Sequence, residues 1–283
     1  MGDPTSYFRP ATLREALKAL AAREAVVAAG CTDLFAATQA KTLPGPVLDI
    51  TALDALRGIA RTGEGLRLGA AATWTDIARA ELPASLRGLQ QAARQVGALQ
   101  VQNRGTLGGN LCNASPAADG VPPLLTLDAE VELRSAAETR RLPLAAFLTG
   151  PRRTALRPDE LLTAILIPAA ALDGESAFEK LGARAHLVIS IAMTAARVAI
   201  EDGRVAQAAL AVGACGPVAT RLPEAEAALL GHPLDPARIS DAAVAAALAP
   251  IDDVRADAAY RARGAAELLR RTLARLAPSA LAA

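Results

Sequence analysis

The chain is poor in reactive side chains. Its 283 residues include 3 Cys, 2 His, 1 Trp, 2 Tyr and 4 Phe. Cys31, Cys112 and Cys215 are scattered and form no CxxC. Neither an iron–sulfur cluster nor a structural zinc is therefore expected on this chain alone. An odd, unpatterned cysteine count points to a reducing compartment. With 2% aromatic residues there is no base-stacking platform, and a net charge of +1 leaves no basic stripe for nucleic acid. The first ten residues hold no apolar signal core. The most apolar runs, 161–167 and 187–196, end at Pro168 and Arg197. Both fall short of the roughly 20 residues that cross a bilayer. The expectation is a soluble, cytoplasmic protein with no membrane span. Of the 30 basic residues 27 are Arg, leaving Lys18, Lys41 and Lys180; with so much Ala, this reads as GC-rich coding.

What is present is apolar and patterned. At 52% hydrophobic, the chain can bury one large domain or two. Thr12 and Glu15 form a capping box ahead of a helical period at Leu13, Ala16, Leu17 and Leu20. A short strand over 24–30 ends in Gly, and a helix over 34–37 follows Cys31-Thr32-Asp33. Residues 47–50 read as a second strand. Residues 56–70 read as a hairpin turning at Gly63-Glu64. Thr73 and Asp76 cap a helix, and 85–96 is helical up to Gly97. The segment 103–119 is rich in Gly, Asn and Ser, lacks periodicity and reads as a long loop. Residues 131–134 and 140–142 form a hairpin. The run 168–176 is the best domain boundary. Beyond it, 178–180, 188–200 and 206–213 read as antiparallel strands, with Glu201-Asp202-Gly203 as a turn. Helices over 223–230, 240–248 and 256–276 complete the chain.

Acid–base or nucleophilic chemistry is hard to assemble. His232 sits in a loop and His186 precedes an apolar strand. No G-x-S-x-G, S-x-x-K or H-E-x-x-H occurs. The run from Gly63 to Gly69 looks like a dinucleotide fingerprint, but its spacing is wrong and it lies inside a hairpin. Two glycine-bearing segments remain. In Val27-Ala28-Ala29-Gly30-Cys31-Thr32-Asp33-Leu34, a strand opens onto a helix start, where unpaired N–H groups favour an anion. In Gly105-Thr106-Leu107-Gly108-Gly109-Asn110, paired glycines let the backbone approach a ligand. Each alone reads equally well as an ordinary turn.

Together these segments resemble the FAD-binding medium subunit of the molybdenum hydroxylases, the xanthine dehydrogenase and aerobic carbon monoxide dehydrogenase family. The family's A-G-G-T-D-L motif is similar to Ala29-Gly30-Cys31-Thr32-Asp33-Leu34. Its Q-x-R-N-x-G-T-x-G-G-N is similar to Gln100-Val-Gln-Asn-Arg-Gly-Thr-Leu-Gly-Gly-Asn110. Its A-S-P-x-x-D is similar to Ala114-Ser-Pro-Ala-Ala-Asp119. Pro158 to Leu162 before Ile165 to Pro168 matches the family's edge-strand segment. Phe178-Glu-Lys180-Leu and Asp252-Asp253-Val-Arg255 with Tyr260-Arg261 extend the match toward the C-terminus.

The resemblance implies an α+β fold. A two-subdomain PCMH-type FAD-binding domain, vanillyl-alcohol-oxidase-like, would cover 1–172, divided at about 56/57. A small C-terminal α+β domain with an antiparallel sheet and helices would cover 173–283. It implies FAD held by Val27, Ala28, Ala29, Gly30, Cys31, Thr32, Asp33 and Leu34 on one side. From the other side come Thr106, Leu107, Gly108, Gly109 and Asn110, with Cys112 and Asp119 along the cofactor, Val96 and Gly97 near one end, and Leu162 and Lys180. No catalytic or metal residue is expected, and no [4Fe–4S] cluster. The implied role is electron transfer from a [2Fe–2S] small subunit to NAD+ or another acceptor. A molybdopterin-binding large subunit completes a heterotrimer, paired into a dimer of heterotrimers. The rival readings are a stand-alone vanillyl-alcohol-type flavin oxidase and an assembly scaffold without FAD. The chain departs from the motifs at Cys31, where the family has Gly, at Gln102, where it has Arg, and over Arg184 to Ser190.

Overall fold

The computed structural model describes residues 7–39, 43, 45–185 and 187–277. His186 lies outside the described residues. Three larger sheets and one two-stranded pair organise the rest.

The first sheet is small and parallel. Strand β1 (Tyr7–Phe8) is followed by helix α1 (Leu13–Ala22), β2 (Val26–Ala28), the single turn α2 (Leu34–Ala37) and β3 (Val47–Asp49). The strand order is β1-β3-β2, with Val47 in register with both Tyr7 and Val26. Helix α1 starts as the sequence predicts. Thr12 accepts the Glu15 N–H, and the Glu15 carboxylate accepts the Thr12 N–H. Its apolar face, Ala16, Leu17 and Leu20, packs on Leu48, Ile50, Leu53 and Leu56. Each such buried Leu contributes about 1.5–3 kcal/mol relative to exposure.

The second sheet is antiparallel. The hairpin β4 (Ile59–Thr62) and β5 (Gly65–Gly69) leads into α3 (Trp74–Arg79), α4 (Arg87–Gln95), α5 (Leu99–Gln102), α6 (Leu107–Asn113) and α7 (Val121–Thr126). A second hairpin, β6 (Glu130–Arg134) and β7 (Thr139–Pro143), precedes α8 (Leu144–Phe147), the short pair β8 (Leu148–Gly150) and β9 (Arg153–Thr154), and β10 (Leu161–Pro168). The order is β4-β5-β10-β6-β7. Strand β10 is thus central, not the edge strand that the motif match implied. Its five leading residues are buried, and it bonds β5 on one side and β6 on the other. A strand covered on both faces reads as a continuous apolar run, which 161–167 is.

The expected loop over 103–119 is corrected by α6. Two glycines lower its intrinsic helicity, at about 1 kcal/mol each, and erase the periodicity. Tertiary bonds outweigh that cost. The Leu107 and Gly108 N–H groups donate to Ala72 O (2.9 Å) and Ala70 O (2.8 Å), while Thr106 Oγ1 accepts from the Gly109 N–H (3.0 Å). Left-handed Ala114 (φ 45°) ends the helix.

The third sheet is β11 (Glu175–Leu181), β12 (Ala192–Glu201), β13 (Arg204–Gly213) and β14 (Thr220–Arg221), antiparallel in that order. Asp202 and Gly203 turn the hairpin with φ of 49° and 73°, the left-handed pair that suits a two-residue connection. Strand β12 begins later than the expected 188: Leu187 is left-handed, and pairing with β11 starts at Ala192. Helices α9 (Pro223–Ala227), α10 (Asp241–Ala246) and α11 (Ala258–Ala274) cover this sheet. Leu268, Leu269 and Leu273 of α11 pack on Ala192, Ala196 and Leu210. Ala92 of α4 meets Phe178 and Met193 between the second and third sheets. Among the described residues, no helix is long and apolar enough to cross a membrane, and no group of three or more His, Cys, Asp or Glu is placed to hold a metal.

Candidate functional site

Strand β2 ends at Ala28, whose carbonyl accepts the Ile50 N–H at 2.9 Å. The chain then turns sharply. Gly30 presses on the opposite segment so closely that a Cβ would lie 1.9 Å from Arg104 O. Cys31 adopts φ 58°, and α2 follows. Helical bonds resume only with Phe35 N–H to Cys31 O and Ala37 N–H to Asp33 O. Among the described residues, no acceptor within the protein engages the N–H groups of Gly30, Cys31, Thr32, Asp33 or Leu34. A row of free donors at such a turn is an anion cradle.

This turn forms one wall of a cavity of about 440 Å³. Val27, Ala29, Gly30, Cys31, Thr32, Asp33 and Leu34 line it on that side. Thr106, Gly108, Gly109, Asn110 and Cys112 face them from α6, and Val96 and Leu162 are also on the wall. The two glycine segments, 75 residues apart in sequence, therefore meet across one space. The roles of their amides differ, however. Those of Gly108 and Gly109 are already spent on Ala70 O and Thr106 Oγ1. What α6 offers instead is a close approach, since a Cβ on Gly108 would lie 2.8 Å from Ala70. It also offers Asn110, whose Oδ1 is buried without a donor. Leaving such an acceptor unpaired costs about 1–3 kcal/mol, so a ligand donor there is favoured.

Five expected residues stand off the cavity wall. Ala28 and Leu107 are buried in the protein. Gly97 adopts φ 53°, where a Cβ would collide with Val101. Asp119 and Lys180 bond each other instead, Nζ to Oδ2 at 2.6 Å, and Ser190 Oγ donates to Asp119 Oδ1 at 2.7 Å. Burial pushes the Asp119 carboxyl up, while Lys180 and Ser190 pull it down. Trp74, Ala70, Val101 and Leu156 line the cavity without having been anticipated. The signal for Trp74 is its place directly after the N-cap Thr73, inside the Thr73–Asp76 capping box, which fixes it at the first helical position.

Both thiols on the wall are held protonated. Burial raises the Cys31 thiol, aided by Asp49 and opposed by Arg104, and burial pushes Cys112 up to about 12. Neither is a ready nucleophile. Among the described residues, Asp33 is the one charged side chain on the wall. An apolar cavity with a row of neutral donors and one orphaned acceptor suits a large ligand that carries a phosphate group.

Comparison with known proteins gives one answer. Residues 3–170 match the family model described as FAD binding domain in molybdopterin dehydrogenase, and residues 176–276 match the CO dehydrogenase flavoprotein C-terminal domain. The nicotinate dehydrogenase FAD-subunit of Eubacterium barkeri is 37% identical over 237 residues, 81% of this chain and 80% of that one. The xanthine dehydrogenase FAD-binding subunit of Escherichia coli O157:H7 is 34% identical over 244 residues, 83% and 82% of the two chains. Carbon monoxide dehydrogenase from Hydrogenophaga pseudoflava superposes with a TM-score of 0.89 at 28% identity, covering 98% of both chains.

Proposed function

Because this chain belongs to the family of FAD-binding subunits of the molybdopterin dehydrogenases, we propose that it is the electron-carrying flavoprotein of a three-subunit molybdenum hydroxylase. The observation that carries this reading is the row of free N–H groups from Gly30 to Leu34 on a cavity of about 440 Å³. Bound FAD supplies the redox chemistry, and the protein binds, orients and shields it. That division of labour fits a wall whose two thiols are held protonated.

The residues take separate parts. The N–H groups of Gly30, Cys31, Thr32, Asp33 and Leu34 receive the diphosphate. Asn110 Oδ1 accepts a hydrogen bond from the cofactor. Val27, Val96, Leu162 and Cys112 exclude water along it, beside Trp74. Thr106 holds the start of α6, and Gly108 and Gly109 keep its surface low. Ala28, Gly97 and Leu107 act through the backbone they fix. Asp119 and Lys180 hold the C-terminal domain against the FAD-binding domain. The domain boundary falls at 172/173, which the separate matches to 3–170 and 176–276 support.

Electrons arrive one at a time from a [2Fe–2S] small subunit, and a molybdopterin large subunit carries the substrate chemistry. Two electrons leave together to NAD+ or another acceptor, and two heterotrimers pair. Purified from its native host, the chain should absorb at about 370 and 450 nm, release FAD on denaturation and copurify with iron- and molybdenum-bearing subunits. A colourless chain with no extractable FAD overturns the cofactor assignment. A yellow chain that purifies alone overturns the heterotrimer, and flavin that stays attached after denaturation favours the stand-alone oxidase.

A further inference from the structure

The cradle at Gly30 offers neutral donors only, and among the described residues no basic side chain lines the cavity. A diphosphate brings two negative charges into that apolar space. Cations lie just behind the turn. A second pocket of about 100 Å³ is lined by Arg57, Arg104 and Asn103, and it shares Gly30 and Thr106 with the main cavity. The shared wall is thin, because Gly30 packs directly on the Arg104 carbonyl. The Arg104 charge is felt at the Cys31 thiol, which burial and then Asp49 raise and Arg104 lowers. Arg57 donates to Thr51 O at 2.6 Å, and among the described residues neither guanidinium has a carboxylate partner.

We propose that Arg104, with Arg57 beside it, is the cationic half of the diphosphate site, facing the cofactor's phosphates across the Gly30–Thr106 seam. The proposal rests on the FAD reading above. The amides of Gly30 to Leu34 supply direction and the two guanidinium groups supply charge. Both arginines are exposed, so solvent screens them, and each contributes a modest share.

The test is calorimetric titration of the full-length, deflavinated chain with FAD, ADP and riboflavin at low ionic strength. ADP carries the diphosphate and riboflavin carries none. Arg104→Gln should weaken FAD and ADP by about five- to tenfold, leave riboflavin unchanged and flatten the salt dependence of ADP binding. Arg104→Lys should recover part of the loss, and Arg57→Gln should act in the same direction but less. Unchanged ADP affinity in Arg104→Gln overturns the proposal. So does an equal loss of ADP and riboflavin, which would mark a damaged cavity. An unmutated chain that binds none of the three refutes the cofactor reading itself, a result distinct from ADP binding that ignores Arg104.

Discussion

Cys31 sits in the left-handed region at φ 58° on the wall of the cavity. A Cβ there costs about 1–2 kcal/mol. Cys31→Gly removes that strain, while the added freedom of the unfolded chain returns about 0.4–1 kcal/mol. The expected net is a stabilisation of about 0.5–1 kcal/mol, visible as a rise in Tm, with flavin binding retained because the backbone N–H of the donor row is kept. A fall in Tm would show that Cys31 Sγ, which donates to Ala29 O at 3.5 Å, matters more than the strain. The neighbouring Gly30 has no such latitude, since its space is taken by Arg104 O. These two positions look alike in a motif, yet one tolerates a side chain and the other does not. Sequence exposed the first glycine as a turn but gave no hint of which backbone it would touch. The same limit hid Arg104, which occupies an unspecified position of the Gln100–Asn110 motif while Gln102 stands where the family has Arg.

At the level of elements, α6 is the piece whose character depends on its neighbours. Thr106→Ala removes its N-cap and should cost about 1 kcal/mol, with FAD affinity falling as Gly108 and Asn110 shift. Chemical denaturation and flavin titration measure the two effects, and loss of stability with intact affinity would separate the helix from the site. Capping boxes at Thr12 and Thr73, the two hairpins and the Gly-ended strand were legible in sequence because each is set by residues a few positions apart. Helix α6 was not, because its bonds go to Ala70 and Ala72, more than thirty residues away. The central place of β10 was hidden for a related reason: an apolar run signals burial on both faces, while the identity of its neighbours is a property of the sheet. The meeting of the two glycine segments could be inferred only from their resemblance to a family.

The whole molecule depends on its joint. Lys180 on β11 reaches Asp119 ahead of α7, and both side chains are under 10% exposed. Lys180→Met leaves a buried unpaired carboxylate and should cost about 3–5 kcal/mol. Combining it with Asp119→Asn should recover much of that loss, which equilibrium unfolding of the three variants would reveal; simple additivity would argue against a coupled pair. Phe178, Met193 and Ala92 fill the space between the second and third sheets. Phe178→Ala should cost about 3–5 kcal/mol and split a single unfolding transition into two as the C-terminal sheet loosens first. A single transition with unchanged midpoint would place the coupling elsewhere.

Trp74 is the one tryptophan of the chain, buried to 2% exposure against the cavity, with Gly105 and Gly120 on either side of its ring. Its position makes the protein its own optical gauge. Ultraviolet emission from a single indole beside a yellow chromophore should be dim when the chromophore is seated and bright when it has left. Loading and loss can then be timed in an unlabelled sample, with no second tryptophan in the chain to blur the signal.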